Sequence, residues 1–484
     1  MTQSTPASRP TLSRNILIGI AALAVLLTLS SNVVMWLAVL SALFIAVWLV
    51  GGRKAYPVLP WIAFMFWIQI AGDLIANDFL GQDVGKLAWL GPFWQQAIFY
   101  SLSALLALVF GMRSGVSVGR RVFGTSDRVR VPDDWQENGG VKLQRAVALY
   151  FISFLLTAFG YRYAWMVPGL TQELVALTLL KYVCIYLVAA KTFEINRDRH
   201  WLIGVALLEF GSGLISYFAS YKEPIFIIML AMISSGRRLS AGQYLTGFFA
   251  VVTVIWVSLV WTVIKADYRN AMGSMTTDQQ IAWISDRYLS ADVDYANAFL
   301  RLSQRVGYTS LFSDVLAEES SGGLPTNFNF YTGAVEHILT PRFLFPDKAA
   351  LDDSRLTTLL LGANIAAGTS VGVGYVTQAY VDFGYPGMLV PIWVIGLMLG
   401  VAAQYFLTRG VPLVIRYAFG TSVLFIAFPF AGNIDKELGM FVTNLVVLVL
   451  VLKIAYPALA RWLAGASVAS GGQRQQILVP SPLA

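Results

Sequence analysis

The sequence has little cysteine, little histidine and little charge. Its one cysteine, Cys184, excludes a disulfide framework, and its two histidines, His200 and His337, exclude a metal site built from several imidazoles. Charged residues make up 13% of the chain, whereas soluble domains carry roughly 25%. Because 57% of the residues are hydrophobic, too few polar side chains remain to cover a water-soluble fold. We therefore expect a polytopic membrane protein.

The sequence also lacks the short motifs that define the commoner enzyme classes. It contains no P-loop, no G-x-S-x-G, no H-E-x-x-H and no paired C-x-x-C. Asp292-Val293-Asp294 imitates the D-x-D of nucleotide-sugar transferases, but three-residue patterns occur by chance, and the orientation derived below turns this one away from cytoplasmic nucleotides. We therefore expect neither a metal site nor a cofactor.

Apolar stretches of about 20 residues, the length that a membrane helix needs, recur along the chain and predict an all-α fold of about twelve transmembrane helices. They lie near residues 15–30, 33–50, 57–73, 92–111, 146–163, 173–190, 201–219, 224–235, 243–264, 386–407, 412–430 and 439–456. The stretch 224–235 is short for a span. The first follows Arg9 and Arg14 without a cleavage site, so we interpret it as an uncleaved anchor.

Basic residues accumulate on the cytoplasmic side of membrane helices, and their distribution here fixes an orientation. With the N-terminus inside, the opposite short loops hold little beyond Lys86, Arg162, Lys222 and Lys436. Both termini are then predicted to be cytoplasmic. The net charge of +7 would suggest anionic partners in a soluble protein, but here the placement of the charges matters more than their sum. No nucleic-acid partner is expected.

Four regions follow from the spans. An N-terminal membrane domain of nine spans covers residues 1–265, and one large, mainly helical extracytoplasmic loop covers 266–372. A C-terminal membrane domain of three spans covers 373–456. The cytoplasmic tail, 457–484, becomes rich in Ser, Gly and Gln, which predicts disorder.

Two ionisable residues fall deep inside predicted spans. Lys181 and Glu209 lie about nine and eight residues from the cytoplasmic ends of consecutive helices, so a rise of about 1.5 Å per residue places them at one depth. An unpartnered charge there costs several kcal/mol. We predict that the two side chains pair, with a proton relay as the functional alternative.

The extracytoplasmic loop begins with a helical pattern. Thr277 followed by Gln280 fits a capping box, and the absence of proline as far as Glu319 predicts a helix or a broken helical pair. Within it Arg301 and Arg305 project from one face. Two adjacent guanidiniums require an anion between them, which is either a diphosphate or a local carboxylate. The candidate carboxylates are Asp294, Asp314 and Glu318.

Further along the loop, residues 329–339 predict a short helix that Pro341 ends. It carries Glu336 and His337, about 100° apart on a helix, and either could act as a general base. A lone histidine is more often structural. Before the loop, Arg269 lies just past the ninth span, and Lys265 is expected to extend towards lipid headgroups.

Three segments resemble the oligosaccharide repeat-unit polymerases, the Wzy-type O-antigen polymerases. These are Pro-Arg-Phe-Leu-Phe-Pro-Asp-Lys at 341–348, the glycine-rich segment 372–387, and the basic turn Ser-Tyr-Lys-Glu-Pro at 220–224. The resemblance covers about residues 200–440 together with the topology. Gln378 departs from the pattern, because relatives often carry glutamate there, so a base role at that position is in doubt.

The resemblance implies a GT-C-like glycosyltransferase in the bacterial inner membrane. Such an enzyme joins undecaprenyl-diphosphate-linked oligosaccharides, as donor and acceptor, outside the cytoplasm to make O-antigen, capsule or exopolysaccharide. It requires no metal if cations hold the diphosphate, and its partners would include membrane lipids, a chain-length regulator and a flippase. The diphosphate-binding candidates are Arg269, Arg301, Arg305, Arg342, Lys222 and Lys348. The candidate bases are Glu336, His337 and, in reserve, Asp382.

Three other functions stay open. An O-antigen ligase uses the same donor with a different acceptor. A lipid-linked oligosaccharide flippase is a transporter, and transporters tend to have two related halves, which the single large loop argues against. The third is a non-catalytic scaffold in an export complex.

Overall fold

The computed structural model describes residues 32–51, 56–79, 81, 91–125, 141–164, 166–167, 169–195, 197–215, 222–235, 241–273, 275–290, 293–324, 328–340, 344–345, 353–362, 372–408 and 410–464. Within these ranges the chain is helical and forms no strand. The predicted first span, residues 15–30, lies outside them.

The described ranges contain nineteen helices. They are α1 (Val33–Val50), α2 (Val58–Phe79), α3 (Trp94–Phe123), α4 (Leu143–Ala164), α5 (Thr171–Leu177), α6 (Leu180–Ile195), α7 (Arg199–Ile215), α8 (Lys222–Ser234), α9 (Ala241–Met272), α10 (Thr277–Ser290), α11 (Tyr295–Val306), α12 (Thr309–Ser320), α13 (Phe330–Leu339), α14 (Asp353–Leu361), α15 (Tyr375–Gly387), α16 (Leu389–Leu407), α17 (Leu413–Leu424), α18 (Ile434–Ile454) and α19 (Tyr456–Ala464).

Eight segments of the described chain are long and apolar enough to cross a membrane. They are α1, α2, α3, α4, the joined α5 and α6, α9, α16 and α18. The protein is therefore a helical, multi-pass membrane protein. The finer count of twelve stays a prediction, because α7, α8 and α17 have 17, 13 and 12 residues and fall short of the usual length of a span.

Glycines let α3 and α16 pack closely along much of their length. A Cβ on Gly115 would overlap the carbonyl oxygen of Leu397, and a Cβ on Gly396 would overlap that of Leu108. Small residues at membrane-helix interfaces let backbones approach and gain dispersion contacts. The α3–α16 seam is thus a close helix–helix contact of the membrane domain.

Helix α15, in the glycine-rich segment, connects the loop to the membrane domain. Gly374 precedes it with φ 91°, where a Cβ would overlap the Phe430 carbonyl. The buried Gln378 Oε1 accepts the Ile434 N–H at the start of α18, at 2.8 Å. Tyr380 donates to Glu319 on α12 at 2.6 Å. The position that departs from the resembling family thus serves as a helix cap here.

The loop docks on the membrane domain through α2. Asp73, 1% exposed, accepts hydrogen bonds at one carboxylate oxygen from the Thr309 hydroxyl at 2.6 Å and the Ser310 N–H at 3.2 Å. Gln69 accepts the Tyr308 N–H through its backbone carbonyl. These contacts cap α12 and fix the junction between α11 and α12 against the membrane helices.

Two local predictions need correction. The capping box lies one residue earlier than predicted, because the Thr276 N–H donates to Gln279 at 2.9 Å and Thr276 Oγ1 accepts the Gln279 N–H. The predicted disordered tail begins with α19, which the structure extends to Ala464. That helix is held because its buried Leu463 accepts the Lys142 N–H through its carbonyl. Residues 465–484 lie outside the described part.

The predicted pairing of Lys181 with Glu209 is confirmed. Lys181 Nζ lies 2.8 Å from Glu209 Oε2, and the Tyr150 hydroxyl donates to Oε1 at 2.9 Å. Glu209 is 2% exposed, so its negative charge is neutralised and both of its oxygens have partners inside the helical bundle. This arrangement accounts for the charges structurally.

Candidate active site

The end of α9 carries two cations on one face. The helix continues to Met272, past the apolar stretch that ends at Lys265, so the predicted domain boundary at residue 265 falls within a continuous helix. Its buried residues Ile264 and Tyr268 pack with residues of α10 and α11. Lys265 and Arg269 are four residues apart and therefore project side by side.

Helix α11 brings a further arginine to the same place. Asp294 caps the helix by accepting the Asn297 N–H at 3.1 Å, so the second aspartate of the D-x-D pattern has a structural role. Ala298 and Ser303 are buried, while Arg301 and Arg305 are exposed. Helix α11 packs against both α9 and α2, and the charge of Arg305 acts on Lys265 of α9.

Lys222, the first residue of α8, is a further cation close to those of α9 and α11. Burial lowers the pKa of Lys222, and the positive charge of Arg305 lowers it further. The charges of Arg305, Arg269 and Lys222 likewise act on the Lys265 ammonium. Residues from three helices thus converge, and we call Lys222, Lys265, Arg269 and Arg305 the cationic cluster.

Two members of the cationic cluster lack a carboxylate partner in the part of the chain that the structure describes. Within that part, neither Lys265 nor Arg305 forms an ion pair with a carboxylate. Like charges in a partly buried setting repel and favour a bound anion. Arg305 is exposed, whereas the other three are half-buried, so the cluster is open to solvent at one side and backed by protein at the other.

The remaining predicted cations are placed differently. Arg301 lies one turn before Arg305 on the exposed face of α11. The described carboxylates Asp294, Asp314 and Glu318, the alternative partners, make no ion pair with either arginine. Arg342 and Lys348 lie outside the described residues, as does most of their octapeptide.

The three candidate bases lie on or beside α13 but differ in their surroundings. Glu336 is exposed on α13 and His337 is half-buried beside it. Both oxygens of Asp382 accept backbone N–H groups at the start of α13, from Phe330 at 3.1 Å and from Tyr331 at 2.9 Å. Asp382 is therefore a helix-capping residue. This role is not visible in the sequence, because its partners are 51 and 52 residues away.

Lys265 is a member of the cluster that was not predicted from the sequence. Its position at the end of a span suggested a side chain that extends to lipid headgroups, yet in the structure the charges of three other cations act on it. The spacing of four residues to Arg269 was the available signal. A cation that shares a helical face with a candidate ligand-binding arginine belongs in the same hypothesis.

A separate cavity of about 290 Å³ lies between α5 and α18. Its walls are aliphatic, with Leu177, Val447 and Leu450 among them, and one acid, Glu173, contributes. It shares no residue with the cationic cluster, and its lining offers little for chemistry on a charged substrate.

Comparison with known proteins gives one match. A family model described as a domain of unknown function (DUF8712) matches residues 136–453, which include all four residues of the cationic cluster. No curated protein matches the chain, and no solved structure does.

Proposed function

The chain belongs to this family of unknown function, and from the site we propose that it is a metal-independent glycosyltransferase that joins polyprenyl-diphosphate-linked oligosaccharides. The proposed substrates are two lipid-linked repeat units, one as donor and one as acceptor. The proposed product is a longer glycan of the O-antigen, capsule or exopolysaccharide type. The reaction would take place on the extracytoplasmic face of the bacterial inner membrane.

The convergence of Lys222, Lys265, Arg269 and Arg305 without a carboxylate for Lys265 or Arg305 is the observation that carries this proposal. A diphosphate offers several oxygens to several donors, and guanidinium binds such oxygens in pairs. The cluster lies where α9 leaves its apolar stretch. A ligand whose charged group is tied to a membrane-embedded chain suits that position.

The chemistry of glycosyl transfer suits such a cluster. The acceptor hydroxyl attacks the anomeric carbon of the donor, and the bond to the diphosphate breaks with its electron pair leaving on the phosphate oxygen. Negative charge therefore develops on the leaving group. Cations already positioned beside it stabilise the transition state more than the ground state.

The proposal is tested by incubating purified protein with a synthetic undecaprenyl-diphosphate-linked repeat unit and analysing the products by mass spectrometry. We expect dimers and longer products from the native protein, and at least about tenfold less product from Arg305→Ala, because a hydrogen bond to a charged group contributes about 1.5–3 kcal/mol. Arg287→Ala is the matched control, since Arg287 is exposed in the same loop and stacks on Trp283.

The outcomes separate the alternatives. Unchanged substrate with the native protein would contradict the polymerase and favour a transporter or a scaffold. Transfer only to a lipid A core acceptor would identify a ligase. Normal product from a well-folded Arg305→Ala variant would remove the cationic cluster from the mechanism.

A further inference from the structure

Glu223 follows Lys222 directly at the start of α8, and its carboxylate is the acidic group that acts on the cluster residue Lys222. Its Oε2 atom is buried and has no hydrogen-bond partner among the described residues. A buried carboxylate oxygen without a partner costs free energy. It therefore calls for an explanation beyond the fold.

The sequence-predicted bases fit the cluster less well. Asp382 uses both oxygens to cap α13, and Glu336 is exposed on that same helix. Neither Glu336 nor Asp382 is among the described groups whose charges act on Lys265. Glu223, in contrast, is adjacent in sequence and in electrostatic contact with one of them.

We propose that Glu223 is the general base that removes the proton from the acceptor sugar hydroxyl, an inference that rests on the glycosyltransferase function proposed above. The acceptor O–H bond breaks and its proton moves to Glu223 Oε2, while the acceptor oxygen bonds to the anomeric carbon. The bond from that carbon to the diphosphate breaks, and the leaving group keeps the electron pair. The proton is later released from Glu223 to water.

The surroundings of Glu223 suit this role. Burial raises the pKa of Glu223, whereas a hydrogen bond from its own backbone and the positive charges of Lys222 and Lys181 lower this pKa, and the charge of Glu209 raises it. A carboxylate with a raised pKa is a stronger base, because its pKa lies closer to the pH at which the protein works.

The helices packed against α8 are α6, α7 and α17. Lys181 comes from α6 and Glu209 from α7, and the α17 guanidinium of Arg416 is turned to the Leu407 and Val411 carbonyls.

The test compares Glu223→Gln and Glu223→Asp with the native protein in two measurements. The first is the rate of chain lengthening from the synthetic repeat unit across a range of pH, and the second is equilibrium binding of undecaprenyl diphosphate. We expect Glu223→Gln to lengthen chains at least about 100-fold more slowly, without weaker binding of undecaprenyl diphosphate. We expect Glu223→Asp to keep measurable activity.

The pH dependence follows from the direction of the shift. A base works only when it is deprotonated, so the native rate should fall as the pH drops through the raised pKa of Glu223, above the usual range for glutamate. That fall should disappear in Glu223→Gln. Asp267→Asn, a change on the exposed face of α9, is the control and should leave both measurements unchanged.

Each other result overturns the inference. If Glu223→Gln lengthens chains at the native rate, Glu223 is not the general base. If the variant loses undecaprenyl diphosphate binding and chain lengthening in parallel, Glu223 has a structural role. If Glu223→Gln does not fold, an unaltered pH profile in Glu223→Asp decides against the base. If the native protein neither binds undecaprenyl diphosphate nor lengthens chains, the proposed function itself fails, and this failure is distinguishable from the others.

Discussion

Two groups of charged side chains lie on neighbouring helices of this protein and differ in how they are neutralised. Lys181 and Glu209 on α6 and α7 form a closed pair, 2.8 Å apart, with Tyr150 completing it. The cationic cluster at the ends of α8, α9 and α11 contains four positive charges, and Lys265 and Arg305 have no carboxylate partner in the described ranges. Charges that the fold balances support the fold, whereas charges that it leaves in excess indicate a ligand.

Lys181→Met should have the largest effect, because it removes the cation of the buried ion pair. It leaves the buried Glu209 carboxylate without a cation, and removing one partner of a buried pair lowers the free energy of unfolding by about 3 kcal/mol or more. The thermal unfolding midpoint in detergent measures the effect. The double variant Lys181→Met, Glu209→Gln should recover most of it, and full native stability in the single variant would contradict the pair's importance.

Asp73→Ala should disturb the cluster from a distance. Asp73 caps α12 and thereby positions the last turn of α11, so its loss should lower stability by about 2 kcal/mol. It should also weaken binding of undecaprenyl diphosphate although no cation is removed. Unfolding and binding are measured on one preparation, with Asp267→Ala as the surface control. Unchanged binding would show that Arg305 is positioned by other contacts.

Lys265→Leu should move stability in the opposite direction from Lys181→Met. Without ligand, removing one of several like charges should raise the free energy of unfolding by about 0.5 kcal/mol, the size of an unfavourable pair four residues apart on a helix. Undecaprenyl diphosphate binding should weaken at the same time. A destabilised Lys265→Leu protein would mean that the cluster is balanced after all by groups outside the described residues.

Arg301→Ala should have the smallest effect. Arg301 is exposed one turn away from Arg305, so its charge is largely screened by salt, and we expect about a twofold loss of binding that disappears at high ionic strength. A loss equal to that of Arg305→Ala would extend the cluster by one residue.

Local patterns predicted much of this molecule, because the interactions concerned are local. Apolar runs placed the helices of the membrane domain, and equal depth predicted that Lys181 would meet Glu209. The spacing on α11 pointed to Arg301 and Arg305 together, and the structure brings Arg305 to the cationic cluster. Long-range contacts were not predictable in the same way. The Thr309 hydroxyl donates a hydrogen bond to Asp73, which is 236 residues away in the sequence. No periodicity in either segment predicts that contact.

The same limit applies to the candidate site. Asp382 was the reserve candidate base, and the sequence does not reveal that the two backbone donors at the start of α13 bind its carboxylate. Lys265 was assigned to the lipid surface, because its neighbours on α8 and α11 are invisible from its own helix. Glu223 was overlooked for a similar reason, since only the packing of α8 on α6 and α7 buries it.

Equilibrium binding of undecaprenyl diphosphate to purified native protein and to Arg305→Ala tests most directly whether the cationic cluster binds a diphosphate. Undecaprenyl monophosphate is the comparison ligand. We predict saturable binding by the native protein that favours the diphosphate and weakens at least about tenfold in Arg305→Ala. Equal affinity of both proteins for the diphosphate, or no preference over the monophosphate, would contradict the account.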